Sequence, residues 1–126
     1  MNDNLHKAGI AKIRQIAGED ANKPLSDWKD VAPDMERYIV EFVAGDVLSR
    51  PGLDANYRQL VTISALAALA TAPSELKMHI NGAINLGWTK SEVAEVLIQI
   101  AVFAGFPASL SALEIAKQVF IERNLN

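Results

Sequence analysis

His79 is the residue of this sequence best placed to hold or pass a proton. It lies three residues after Leu76, four before Ala83 and seven before Leu86, on the apolar stripe of a helix. An imidazole in that place is one of two things. It is a core side chain bonded to a backbone carbonyl, or it is a general acid or base in a pocket, because its ordinary pKa lies near neutrality. Glu95 and Gln99 stand one helical turn apart in a run otherwise made of Val, Ala, Leu, Ile and Phe. A carboxylate there reaches solvent at the helix edge, joins a structural ion pair or faces a polar site, since burying it alone is costly. Arg50 sits between a helix end and the turn Pro51-Gly52. It can grip a carboxylate with two parallel hydrogen bonds or cap the carbonyls of the preceding helix. Arg58 opens a very apolar helix and is the second cation that could seat an anion; otherwise it is a solvated first-turn side chain.

Other chemistries have no residues to carry them. The chain has no cysteine and two histidines, His6 and His79. Thiolate metal sites, iron–sulfur clusters, disulfides and dithiol redox chemistry are excluded, and two histidines alone make no zinc site. No glycine-rich phosphate loop, no dinucleotide fingerprint and no Gly-x-Ser-x-Gly elbow occurs. The chemistry expected is acid–base and electrostatic, with no cofactor. His6, in the polar N-terminal segment, is expected to be solvated.

These residues need helices to position them. Apolar positions 5, 10, 13 and 16 mark a helix over Leu5–Ala17 that stops at Gly18. Residues 19–30 read as a connector. Pro33 suits a helix first turn, and Met35, Ile39, Phe42, Val43 and Val47 follow at helical spacing up to the breaker Ser49-Arg50-Pro51-Gly52. Asp54 is a plausible cap for a helix over Ala55–Thr71, which Pro73 must end or kink. Another follows over Ser74–Leu86, with Gly87 just past its end. Thr89-Lys90-Ser91-Glu92 is a capping box that starts a helix over Lys90–Ala104. Gly105-Phe106-Pro107 stops it, and a last helix covers Ala108–Arg123. The fold class is all-α, about six helices with no sheet, in a single domain over 1–126.

Half of the 126 residues are hydrophobic and the net charge is -3. A core is affordable, and nothing basic enough to track nucleic acid is present. The N-terminus lacks the apolar run of a signal peptide, and no apolar stretch is long enough to span a bilayer. A cytoplasmic protein is expected. The segments 55–71 and 90–104 are apolar nearly all round, more than one small domain can hide, so a homo-oligomer is expected over a monomer with two central helices.

Three groups of residues together resemble the carboxymuconolactone decarboxylase family. The first is Asp46-Val47-Leu48-Ser49-Arg50-Pro51-Gly52-Leu53-Asp54 followed by Arg58-Gln59-Leu60-Val61-Thr62-Ile63. The second is Glu75-Leu76 and His79 with Ala83, Gly87, Thr89, Glu92 and Glu95. The third is Ala101-Val102-Phe103-Ala104-Gly105-Phe106-Pro107-Ala108. The resemblance covers residues 33–119, with 1–30 as an N-terminal helix and connector. It implies an AhpD-like helical fold assembled as trimers or hexamers. Redox members of the family carry Cys-x-x-Cys-x-x-x-His. If His79 is that histidine, the cysteine positions fall at Ala72 and Glu75, so peroxidase and disulfide reductase chemistry is lost here. What remains is cofactor-free decarboxylation of a small anionic lactone such as 4-carboxymuconolactone. In that reading His79 is the acid or the donor to the oxyanion, Glu95 orients it, Arg50 or Arg58 anchors a carboxylate, and Gln99 contributes to substrate binding. Phe103 departs from the tyrosine that members often carry. The alternatives are a non-catalytic oligomeric protein that binds a small acid and a related isomerase or hydrolase.

Overall fold

The computed structural model describes residues 2–18 and 27–125, and among them every regular element is helical. The chain divides into two compact units, Met1–Ala55 and Asn56–Asn126.

In the first unit, α1 (Asp3–Ala17) begins two residues before the first periodic leucine because Asn2 caps it. The Asn2 side-chain oxygen accepts the backbone N–H groups of Asn4 and Leu5, each at 3.1 Å. Most of the connector expected over 19–30 lies outside the described residues; past it, Val31 and Ala32 close a turn on the Trp28 carbonyl. A short α2 (Met35–Arg37) runs directly into a π-helical segment, Tyr38–Val47.

That π segment buries a different face from the one α-helical spacing predicts. Val40, Glu41, Ala44 and Gly45 are buried, whereas Met35, Phe42 and Val43 are exposed. The wider turn explains it: the Leu48 N–H reaches five residues back to the Val43 carbonyl at 2.8 Å, so positions four and five apart share a side. Two glycines, Gly9 on α1 and Gly45 on the π segment, let the facing surfaces approach closely. A methyl group added at Gly9 would fall inside the envelope of the Val40 carbonyl oxygen, and one at Gly45 inside that of the Leu5 carbonyl oxygen. The two backbones touch there. The buried Glu41 carboxylate accepts the Asn2 backbone N–H, which answers part of its desolvation cost. His6, expected in solvent, is half-buried on α1, the helix that packs against the π segment.

Gly9→Ala is therefore expected to destabilise the protein by about 1–3 kcal/mol, since overpacking outweighs the smaller gain in helix propensity. Chemical denaturation of the two proteins measures it. Equal stability would show that α1 and the π segment separate at no cost.

The second unit takes in α3 (Ala55–Leu69) from its second residue onward, then α4 (Pro73–Asn85), α5 (Lys90–Ala104) and α6 (Phe106–Glu122). α3 ends two residues earlier than expected. Continuing it would drive the Pro73 ring into the Leu69 carbonyl. The chain unwinds instead, with Ala70 in the left-handed region at φ 57° and Ala72 out of helical geometry at φ -132° and ψ 64°, and Pro73 becomes the first residue of α4. The capping box forms as read: Thr89 Oγ1 accepts the Glu92 N–H and Glu92 Oε1 accepts the Thr89 N–H, both at 3.1 Å. Gly105, at φ 96°, makes the sharp step from α5 into α6.

Four helices close on one core, in which Ile63, Ile80, Val93, Leu97 and Val119 are fully buried. Buried Ser109 ties α6 to α5 through its hydroxyl, which donates to the Leu97 carbonyl at 2.7 Å. The Trp88 indole N–H donates to the Asn56 carbonyl at 2.7 Å, joining the turn after α4 to the start of α3. The far side of α4 is held by the end of the chain. Lys77 pairs with Glu122 at 2.9 Å, and the Arg123 guanidinium donates to the side-chain oxygens of Asn81 at 3.1 Å and Asn85 at 2.9 Å.

Candidate active site

α4 presents His79 toward α3, where it meets Gln59. Gln59 is only 2% exposed, although its helix is otherwise largely apolar. Its amide nitrogen lies 2.8 Å from His79 Nδ1 and 2.8 Å from the His79 backbone carbonyl oxygen. One buried amide thus engages both the ring and the backbone of one histidine. The burial of His79 pushes its pKa below the ordinary value, and the Glu75 carboxylate one turn earlier on α4 pulls weakly the other way. A histidine so placed is a neutral, half-buried imidazole at neutral pH.

Gln59 is the site residue that side-chain type and motif left unremarked. Its signal was positional: it precedes Ile63 by four residues and Ala67 by eight, and both are buried. A polar side chain in line with a buried stripe needs an internal partner.

The other candidates stand in different surroundings. Gln99 lines a groove of about 420 Å3 between α3 and α5, together with Ser64, Ile100 and Phe103. Phe103 is 87% exposed there. Glu95 is exposed on α5, and among the described residues no hydrogen bond or ion pair joins Glu95 or Gln99 to His79. Arg58, directly before Gln59, is half-buried in the second unit, and Arg50 is exposed in the first. A second groove, of about 530 Å3, is lined by Ile84, Trp88, Lys90 and Leu125. Among the described residues no group of three His, Asp or Glu could hold a metal ion. No described helix is long and apolar enough to cross a membrane.

The described residues form helices alone, a half-buried imidazole meets a buried amide between two of them, and the sequence holds no cysteine. The model of the carboxymuconolactone decarboxylase family matches residues 33–118, and the chain belongs to that family. It is similar to the 4-carboxymuconolactone decarboxylase of Acinetobacter baylyi, at 38% identity over 95% of this chain and 90% of the relative. It also resembles the nitrosuccinic acid decarboxylase of Metarhizium robertsii, at 30% identity over 93% of this chain and 85% of the relative. An uncharacterized protein of Paracoccus denitrificans is 38% identical over 75% of this chain and 71% of its own length.

Proposed function

We propose that this protein is a cofactor-independent carboxy-lyase that acts on a small anionic lactone of the 4-carboxymuconolactone type. What carries the reading is the 38% identity to a decarboxylase of that name along 95% of the chain. The half-buried neutral His79 fits the demand of the reaction.

The carboxylate carbon leaves as CO2, and the bonding pair stays on the ring and delocalises onto the lactone carbonyl oxygen. One proton is then added to a ring carbon. No electrons enter or leave overall. Such a reaction needs a cation for the substrate's carboxylates, a hydrogen-bond donor for the developing oxyanion and an acid for the carbon. In this reading His79 is the donor or the acid, and Arg58 or Arg50 seats a carboxylate. Gln99 contributes to binding, and Glu95 acts on the orientation of His79. The protein works in the cytoplasm as a trimer or hexamer, with the outer sides of α3 and α5 between subunits. Support for the assembly comes from Val61, Leu69, Ile98, Val102 and Phe103, which are all exposed on those helices.

The test is direct. Purified protein mixed with 4-carboxymuconolactone is expected to release CO2 and form the enol-lactone, followed by absorbance. An unchanged substrate spectrum at high protein concentration overturns the reading. Nitrosuccinate belongs in the same assay, because a second relative carries that activity in its name.

A further inference from the structure

The Gln59 amide nitrogen carries two protons and faces two acceptors, both on His79. Turning the amide over would set its oxygen against the His79 carbonyl oxygen, with no proton between them. The nitrogen therefore stays where it is, and Nδ1 must offer a lone pair to it. The single proton of the neutral ring is then on Nε2. We propose that Gln59 is a positioning residue that holds His79 with its proton on Nε2, so that the site donates a hydrogen bond to an oxygen that becomes negative as CO2 departs.

This deepens the decarboxylase reading and rests on it for the identity of the oxygen. A neutral imidazole is far too weak an acid to protonate carbon and, with Nδ1 occupied, has no free lone pair for taking a proton. It is a good donor to an oxyanion, as in the neutral histidine of triosephosphate isomerase. The substrate class follows from that. CO2 loss must send its electron pair onto an oxygen, as an enolate does beside a lactone or a nitronate does beside a nitro group. A carboxylate with no such oxygen in conjugation gains nothing from His79. The proton that ends on carbon then comes from water or another acid, not from this ring.

Gln59 itself touches no reacting atom, so its test reads the ring as well as the rate. Long-range proton–nitrogen spectra of uniformly 15N-labelled protein report which ring nitrogen is protonated, and His79→Ala separates the two histidines. At neutral pH the wild-type His79 is expected to show a protonated Nε2 and an unprotonated Nδ1. Gln59→Glu places an acceptor opposite Nδ1 and is expected to move a proton there. Gln59→Met is expected to leave a mixture of tautomers. Both variants are expected to lower kcat by about a hundredfold with little change in KM, the scale of losing one preorganised donor. A wild-type spectrum with the proton on Nδ1 overturns the proposal, even if neither variant folds. So does a Gln59→Met protein with wild-type ring signals and wild-type kcat. If the wild-type ring carries its proton on Nε2 and the variants shift it while no lactone is consumed, the positioning role stands and the decarboxylase reading falls.

Discussion

His79→Ala is expected to lower kcat for the lactone by about 10²–10³-fold and to leave KM close to the wild-type value. In the proposed reaction cations seat the substrate's carboxylates, so the imidazole would contribute little before charge develops on the carbonyl oxygen. Its contribution grows as CO2 leaves, which is the pattern that appears in kcat. Steady-state kinetics on the two proteins decide the matter. A variant at the wild-type rate removes His79 from the chemistry.

The same residue leaves a mark on stability. Its pKa in the folded protein is below the ordinary 6.5, chiefly through burial, with Glu75 opposing. Between that lowered value and 6.5 the unfolded chain binds more protons than the folded one. Folding stability therefore rises with pH across that window and is lost as pH falls through it. The alanine variant should show a shallower slope there.

Leu97→Ala is expected to destabilise the protein by about 2–5 kcal/mol. Leu97 is 0% exposed and stands in the core of the second unit. The cost of such a cavity depends on how far its walls can move in. Here the backbone is pinned, because the Leu97 carbonyl accepts the buried Ser109 hydroxyl at 2.7 Å. Collapse of α5 toward the void would break that bond, so the loss should fall in the upper part of the range. Urea denaturation gives the value. A loss under about 1 kcal/mol would mean that α5 repacks freely.

The helices of the second unit were readable because their ends carry residues with one structural use each. Pro73, Gly87, the Thr89–Glu92 box and Gly105 punctuate the chain whatever the tertiary context, and the core positions between them repeat at helical spacing. The π segment was not readable. Its buried face holds Val40, Glu41, Ala44 and Gly45, a pattern that α-helical spacing scores as mixed, and its register depends on how closely α1 approaches. The site divides in the same way. His79 is conspicuous, being one of two histidines and aligned with an apolar stripe. Gln59 is an ordinary residue type whose meaning comes from a partner twenty positions away. Side-chain type announces what a residue can do, whereas only the fold states what it faces.

The grip of the last helical turn on α4 reaches further than its exposed side chains suggest. Lys77 and Asn81 bracket His79 on the same helix, and Glu122 and Arg123 hold both. The helix cannot roll or slide along its axis without releasing several of these bonds together. The aim of the imidazole is thus inherited from the far end of the chain. Substitutions at Lys77, Glu122 or Arg123 are therefore expected to be felt at the ring, although none of these side chains touches it.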